Sequence, residues 1–388
     1  MIPSLIRDNQ IVAVNCFVCK TIVSTGRDSK NKVHHLYMST EHFIQTKKEL
    51  ESLITLTLEE KTWFDSVPGD SLPLRISHYY ASLIDIDDIN DPIRRQVVPL
   101  LNELKNLEQE SNDPLCEAQH SHTSRLIHRY PNRVALLVSD YCATYCRHCF
   151  RRRFTAKEDA VIGQVELEKV GDYIEGDRNI KEMLLTGGDP LMVSNNRLSS
   201  IISFIREKRP DIVLRLCTRA IVTYPSRITL ELIDMLKKYS TSPIYIMTQF
   251  NHPKEITQES IQAASLFADN GFPVMNQTVL LRGVNDDESV LEELMNTLLS
   301  IKVKPYYLFQ GDMVEGTSHL RVPIQRTIEI ERELRSRLSG LAMPSVAVDL
   351  PLGGGKVPLH EPYYKGETES KTHIFISLDG REIEYIDP

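Results

Sequence analysis

The feature that most constrains the fold of this chain is an alternation of strand-like and helix-like segments that begins at residue 133. Seven short apolar runs are separated by six segments whose apolar residues recur three and four positions apart. The strand-like runs are 133–139, 182–187, 213–218, 244–249, 274–280, 304–310 and 345–350. The helix-like segments are 164–175, 197–208, 227–239, 257–271, 287–300 and 324–338. This alternation predicts a parallel sheet with right-handed crossovers, and the count fits an α/β partial (βα)6 barrel.

The residues before 133 show no alternation of strand-like and helix-like segments. Helix-like pieces cover 40–54 and 58–67, and an acidic, loop-like stretch covers 83–93. We therefore predict three parts: a helical N-terminal extension (1–130), a partial barrel (131–350) and a short C-terminal segment (351–388).

Charge and hydropathy limit the class of protein. The formal net charge of -8 gives no basic field that would favour nucleic acid or an anionic membrane surface. The longest apolar runs, such as 134–138, are far shorter than the roughly 20 residues of a membrane span. The N-terminus carries no signal-like apolar block. We expect a cytoplasmic globular protein with no nucleic-acid or membrane partner.

Three of the seven cysteines form the strongest motif. Cys142, Cys146 and Cys149 have the spacing CxxxCxxC and directly follow the first strand of the predicted barrel. A structural zinc site is normally closed by four ligands. The candidates for a fourth are His148, Cys16 and Cys19. An iron–sulfur cluster held by three thiolates instead leaves one iron open to another ligand. We favour the open cluster, with structural zinc as the alternative.

Two glycine-rich motifs add to this reading. In TGGDP (186–190) the glycines end the second strand, where they permit close approach of a ligand or a tight βα turn. In DLPLGGGKVPL (349–359) Lys356 follows three glycines. Lysine forms a Schiff base with pyridoxal phosphate, although a flexible loop with an exposed lysine has the same sequence pattern.

Taken together, these segments resemble the lysine 2,3-aminomutase family of radical S-adenosylmethionine enzymes. The resemblance covers most of residues 75–360. The matching segments are 79–99, 128–134, 146–154, 184–191, 250–257, 276–286, 305–323 and 349–358. It implies an isomerase that moves the α-amino group of a cationic L-amino acid, L-lysine first, to the β-carbon. Its implied cofactors are a [4Fe–4S] cluster, S-adenosylmethionine and pyridoxal 5'-phosphate.

The resemblance also implies roles for individual residues in binding the cofactors. The three cysteines hold the cluster, and Lys356 is the residue that bonds to pyridoxal phosphate. Contacts to S-adenosylmethionine come from Gly187, Gly188 and Asp189. Contacts to pyridoxal phosphate come from Arg129, Tyr130, Arg133 and Gln277. The alternative for the arginines is a solvated surface with ion pairs.

The substrate-binding residues follow from the same resemblance. Arg151 binds the substrate carboxylate, and Asp312 with Asp349 binds the distal ammonium. Both aspartates come at the ends of predicted strands, where βα barrels build their active sites. A single aspartate at such a position is usually a helix cap, whereas two at matching positions favour a ligand role.

Four residues depart from the family pattern. Phe150, Gln249, Phe309 and Leu352 stand where the family carries threonine, histidine, tyrosine and glycine. The alternatives are therefore a 2,3-aminomutase of arginine, ornithine or another amino acid, or a different radical reaction with the same cofactors. A non-catalytic iron–sulfur regulator is the least favoured alternative.

The resemblance bears on partners as well. A reducing electron donor such as flavodoxin or ferredoxin is implied. No cysteine follows Cys217, so we expect the family's C-terminal zinc site and tetramer to be missing and a homodimer to be retained. Cys16 and Cys19 have no counterpart in the family pattern, and we expect them to be buried or incidental thiols.

Overall fold

The computed structural model describes residues 43–69, 71–157, 160–368 and 372–386. Cys16 and Cys19 lie outside the described residues, so the expectation for these two thiols stays a prediction.

The described N-terminal part is built from short helices and one two-stranded sheet. Its strands, β1 (Phe43–Ile44) and β2 (Ile76–Ser77), pair antiparallel. Its helices are α1 (Lys47–Glu51), α2 (Leu58–Ser66), α3 (His78–Ala81) and α4 (Pro92–Val97). The prediction of one helix over 40–54 is wrong for residues 43–46. Thr46 accepts a hydrogen bond from the Glu49 N–H at 3.2 Å, and the Glu49 carboxylate accepts one from the Thr46 N–H at 3.0 Å. This capping box starts the helix at Lys47.

The centre of the molecule is a ten-stranded sheet whose neighbouring strands follow the order of the chain. Strands β3 (Ser121–Thr123) and β4 (Leu126–Tyr130) form one antiparallel edge. Seven parallel strands follow: β5 (Arg133–Ser139), β6 (Glu182–Gly187), β7 (Val213–Cys217), β8 (Ile244–Thr248), β9 (Val274–Leu280), β10 (Val303–Gln310) and β11 (Ser345–Leu350). These are the seven strands that the sequence predicts.

Helices occupy the crossovers between the parallel strands. They are α5 (Gln164–Gly176), α6 (Asn195–Lys208), α7 (Ala220–Thr223), α8 (Leu230–Lys237), α9 (Gln258–Ala268), α10 (Glu288–Ser300) and α11 (Ile324–Arg337). Because each crossover joins adjacent strands in the same direction, right-handed connections place the helices on one face of the sheet. In α6, for example, Leu198, Ile201 and Ile205 are fully buried in the main core. The prediction of an α/β partial barrel with six βα units is confirmed.

The chain turns back at the far edge of the sheet. Strand β12 (Gly355–Pro358) pairs antiparallel with β11, and this register sets Lys356 opposite Asp349. A separate three-stranded sheet follows, made of β13 (Tyr364–Glu367), β14 (Thr372–Ile376) and β15 (Glu382–Ile386). The central sheet thus extends past residue 350 and begins before residue 131, while the predicted division into three parts stays a prediction.

Buried polar contacts tie the N-terminal part to the barrel. The Tyr80 hydroxyl donates to Glu255 at 2.5 Å, and the Gln96 amide donates to the same carboxylate at 3.1 Å. Lys254 pairs with the buried Asp91 at 2.5 Å. These contacts fix α3 and α4 against the segment that follows β8. None of the described helices is both long and apolar enough to cross a membrane.

Candidate active site

A cavity of about 400 Å³ opens at the carboxyl ends of the parallel strands. Every residue that the sequence predicts for cofactor or substrate binding lines it. These residues are Arg129, Tyr130, Arg133, Cys142, Cys146, Cys149, Arg151, Gly187, Gly188, Asp189, Gln277, Asp312, Asp349 and Lys356. The fold therefore brings together residues that are more than 200 positions apart in the chain, and it does so at the sheet edge where parallel barrels build their sites.

The loop after β5, which carries the three cysteines, is held by a buried ion pair. Arg147 is 1% exposed and pairs with Glu103 at 2.5 Å. Its guanidinium also donates to the backbone oxygens of Leu72 and Pro73 at 3.1 and 3.0 Å. The arginine between the cysteines is thus structural, because it anchors the loop to the N-terminal part.

The thiols suit a cationic group. Burial raises the pKa of the Cys142 thiol well above its usual range, and Asp189 and the other two thiols raise it further. Burial also raises the pKa of Cys149. Thiolates in such surroundings need positive charge nearby, which bound iron supplies. Three cysteine side chains around one cavity are a suitable donor set for an iron–sulfur cluster.

The alternative of a closed zinc site finds no support among the described residues. No group of three or more His, Cys, Asp or Glu in that part of the chain converges on a single metal ion. Nε2 of His148 lies 2.9 Å from the amide nitrogen of Gln249. Burial lowers the pKa of His148 well below its usual range. A zinc site that recruits Cys16 or Cys19 lies outside the described residues.

The two glycines at the end of β6 are needed for contact with the cysteine loop. Gly187 has a φ of +115°, which favours glycine. A Cβ at Gly188 would lie 2.5 Å from the backbone nitrogen and oxygen of Tyr141. The close approach that these glycines permit is therefore to the chain itself. Their predicted contact with S-adenosylmethionine stays a prediction.

Asp189 is fully engaged by the protein. Its carboxylate accepts from the Leu191 N–H at 2.9 Å, from the Thr218 hydroxyl at 2.9 Å and from the Arg219 N–H at 2.8 Å. Burial raises its pKa, and these hydrogen bonds oppose the increase. Asp189 thus joins the segment after β6 to the segment after β7, and its predicted role in binding S-adenosylmethionine stays a prediction.

Lys356 lies in a cluster of charges at the β11–β12 edge. Its ammonium contacts the Asp349 carboxylate, and Nη2 of Arg129 lies 2.9 Å from the other oxygen of the same carboxylate. The backbone N–H of Lys356 donates to the Tyr130 hydroxyl at 3.2 Å. Asp349 is therefore paired twice. Asp312 forms no ion pair with any described residue, and burial together with Asp349 raises its pKa to about 7.

The surroundings of Lys356 fit an anionic, aromatic cofactor. The Arg133 guanidinium lies 3.7 Å from the centre of the Tyr130 ring. Arg129 Nε is buried without a hydrogen-bond partner among the described residues, so a donor remains for a ligand. The rings of Tyr307 and Phe309 stack at 4.7 Å, and Lys356 Nζ lies 5.3 Å from the Phe309 ring. A phosphate on the arginines and a flat ring beside the aromatic pair are compatible with these contacts.

Arg151 reaches into the cavity from the cysteine loop. Its guanidinium pairs with Glu117 at 2.7 Å, and Nη1 donates to the Thr186 hydroxyl at 3.1 Å. Burial opposes the charge of Arg151, but Glu117 raises its pKa, so the side chain is a cation. This charge is what a substrate carboxylate requires.

Three lining residues were missed by reasoning from the sequence: Glu117, Thr186 and Arg219. Arg219 donates to the Cys146 Sγ at 2.7 Å and pairs with Glu255 at 2.7 Å. It lies just past the end of β7, so the strand-end rule that singled out Asp312 could have found it. Glu117 lies before β3, in a segment whose pattern predicts no element, and only the three-dimensional structure brings it to Arg151.

The four departures from the family pattern have different surroundings. The Phe150 ring packs 4.7 Å from the Arg151 guanidinium, and Phe309 and Gln249 line the cavity. Leu352 is 88% exposed with a φ of 56°, a conformation that favours glycine. Three departures thus adjoin the site, and the fourth places a strained backbone in the loop before Lys356.

Comparison with known proteins places the chain among radical enzymes. Residues 136–295 match the model of the radical SAM superfamily. L-lysine 2,3-aminomutase from Clostridium subterminale is 43% identical over 345 residues, which cover 89% of this chain and 82% of that protein. L-lysine 2,3-aminomutase from Bacillus subtilis is 38% identical, with 89% and 73% covered. Glutamate 2,3-aminomutase from Clostridioides difficile is 43% identical, with 81% and 74% covered.

Proposed function

Since the chain belongs to the radical SAM 2,3-aminomutase family, we propose that its substrate is a cationic L-amino acid, L-lysine first, whose α-amino group moves to the β-carbon. Membership makes the protein an isomerase and implies a [4Fe–4S] cluster with S-adenosylmethionine. The substrate and the use of pyridoxal phosphate are our inferences, because a lysine enzyme and a glutamate enzyme are each 43% identical to this chain, over 345 and 314 residues.

The observation that carries the proposal is the acidic pair Asp312 and Asp349. Both line the cavity, and Asp312 forms no ion pair with a described residue, although the charges of Lys356 and Arg151 lower its pKa in part. Burial, and after it repulsion by Asp349, raises the pKa of Asp312, so the site disfavours a second negative charge without a bound cation. A substrate ammonium between the two carboxylates would relieve this repulsion, whereas a glutamate side chain would add a third carboxylate. L-arginine and L-ornithine fit the acidic pair as well, because their side chains are also cations.

The roles that we propose for the remaining residues follow from their charges. Cys142, Cys146 and Cys149 would hold the cluster. Lys356 would hold pyridoxal phosphate, with Arg129 and Arg133 as donors for its phosphate.

When bound, the cluster with S-adenosylmethionine supplies a radical that removes hydrogen, and pyridoxal phosphate supplies the conjugated system that carries the migrating amine. The chain itself binds the substrate at both ends, with Arg151 for the carboxylate and Asp312 with Asp349 for the ammonium. Two fixed ends orient the β-carbon for reaction. A low-potential donor such as flavodoxin or ferredoxin is expected to reduce the cluster, and assembly as a homodimer stays a prediction.

Product analysis under anaerobic conditions tests the proposal. The protein is reconstituted with iron and sulfide and supplied with S-adenosylmethionine, pyridoxal phosphate and dithionite. It is then incubated separately with L-lysine, L-arginine, L-ornithine and L-glutamate, and products are resolved by chromatography and mass spectrometry. We expect the β-isomer of lysine, and none with Cys146→Ala or Lys356→Ala. The β-isomer of glutamate as the main product would overturn the proposed substrate class.

A further inference from the structure

The Arg151 guanidinium uses only part of its hydrogen-bonding capacity within the protein. Nε donates to both oxygens of Glu117 at 3.1 Å, Nη2 donates to one of them at 2.7 Å, and Nη1 donates to Thr186 at 3.1 Å. A guanidinium has five N–H groups. One N–H therefore remains on each terminal nitrogen, and both can donate to the oxygens of a carboxylate.

Glu117 is itself held in place. The Asp113 carboxylate accepts hydrogen bonds from the backbone N–H groups of Glu117 at 3.0 Å and of Ala118 at 2.9 Å. The Glu117 side chain is only 8% exposed, and Arg153 lies 3.6 Å from its second oxygen. The carboxylate is therefore a fixed point at the wall of the cavity.

Orientation is what a fixed partner contributes to a long side chain. A free arginine samples many rotamers, and confining it when a ligand binds costs conformational entropy. Because Glu117 and Thr186 already hold the Arg151 side chain in the folded protein, this entropy is lost during folding and not when the ligand binds. Glu117 need not leave when a carboxylate arrives, because the two remaining N–H groups do not point to it.

We propose that Glu117 is a positioning residue that presents the free edge of Arg151 to the α-carboxylate of the substrate. This inference rests on the proposed function, because it assumes that an amino acid is bound through Arg151. It predicts that the loss of Glu117 weakens binding of ligands that carry a carboxylate much more than binding of ligands that lack one.

Titration of the protein loaded with pyridoxal phosphate tests the proposal without turnover. Binding of amines is followed by the absorbance of the cofactor. The probes are L-lysine, L-arginine, L-ornithine and L-glutamate, and 1,5-diaminopentane, which is lysine without its carboxylate. In Glu117→Gln we expect the Kd of the amino acids to rise about tenfold or more, while the Kd of the diamine changes much less.

Two further variants keep the test decisive. Thr186→Val removes the other partner of Arg151 and should selectively weaken the binding of amino acids, by a smaller factor than Glu117→Gln. It keeps the proposal testable if Glu117→Gln fails to fold. Glu110→Gln is the matched control, because Glu110 forms a buried pair with Arg321 at 2.6 Å and does not line the cavity. This control variant should leave the ratio of the Kd of L-lysine to the Kd of 1,5-diaminopentane unchanged.

Each outcome decides one of the two proposals. An equal loss for the diamine and the amino acids would overturn the inference in favour of a purely structural role, as would no loss for either. If wild type isomerises lysine and Glu117→Gln binds it normally, the inference fails and the proposed function stands. If amino acids bind selectively through Glu117 but no cationic amino acid is isomerised, the inference stands and the proposed function fails. If wild type binds no amino acid, both fail.

Discussion

At the scale of single residues, the charge on Asp312 sets a pH dependence that can be measured. Burial and Asp349 raise its pKa to about 7, and the cationic substrate that we propose would bind the ionised form. Below this pKa the carboxyl must lose a proton first, so kcat/KM for L-lysine should fall about tenfold per pH unit. We expect kcat/KM of wild type to rise with pH through an apparent pKa of about 7. In Asp312→Asn this rising limb of the pH profile should be absent. An identical limb in the variant would refute the assignment.

The same raised pKa predicts an effect on stability. A folded-state pKa above the ordinary value of 3.8 means that the ligand-free protein loses stability as the pH rises from about 4 to about 7. Asp312→Asn should therefore stabilise the ligand-free protein by about 1–2 kcal/mol at pH 8 and by little near pH 4.

Thermal unfolding of the ligand-free protein at several pH values checks this prediction. Asp211→Asn is the control of opposite sign, because its pairing with Arg209 lowers the pKa of Asp211 to about 2. That variant should lower the Tm at pH 8. A lower Tm for Asp312→Asn at pH 8 would show that Asp312 is a structural residue.

Much of the site could be predicted at this scale because its residues match the motifs of a known family. Three closely spaced cysteines limit the chemistry before any fold is known, whereas a lysine behind three glycines also fits a flexible loop and was assigned only through the resemblance. Glu117 has no such signature, since one acidic residue in a polar segment is ordinary. Its role depends on Arg151, which is 34 positions away in the chain, and a contact between such distant residues cannot be predicted from periodicity.

At the scale of elements, the contact between the end of β6 and the cysteine loop predicts a specific loss. A Cβ at Gly188 would clash with the Tyr141 backbone, which cannot move without moving the loop that carries Cys142. Gly188→Ala should destabilise the protein by about 1–3 kcal/mol and lower the iron content after reconstitution.

Iron and sulfide analysis together with thermal unfolding measures this loss. Gly176→Ala is the matched control, because a Cβ there meets no atom within 4 Å and the residue ends helix α5. It should bind iron normally and be neutral or slightly stabilised. Normal iron content in Gly188→Ala would show that the loop does not depend on this contact.

The parallel strands were predictable because each is a buried run with its own amphipathic helix beside it. The antiparallel edges β3, β4 and β12 were not, because they are short and carry no periodic pattern of their own. Strand β12 begins in the glycine-rich loop and is defined only by its pairing with β11. That pairing places Lys356 opposite Asp349, so the part of the fold that sequence could not predict sets the contact between these two residues.

At the scale of the whole molecule, the N-terminal part and the barrel should unfold together. The single tryptophan, Trp63, is 2% exposed in α2, and the Arg147 guanidinium lies 5.3 Å from its ring. Its fluorescence therefore reports on the contact between the N-terminal part and the cysteine loop. Denaturant titrations followed by fluorescence and by far-UV circular dichroism should give the same midpoint. An earlier fluorescence transition would show that the N-terminal part detaches first.

In the function that we propose, the acidic pair Asp312 and Asp349 selects an amino acid with a cationic side chain. Competition in one reaction tests it most directly: equimolar L-lysine and L-glutamate are given to the reconstituted protein, and the two β-isomers are quantified over time. We expect β-lysine in large excess for wild type and a reduced excess for Asp312→Asn. β-Glutamate in excess from wild type would contradict it.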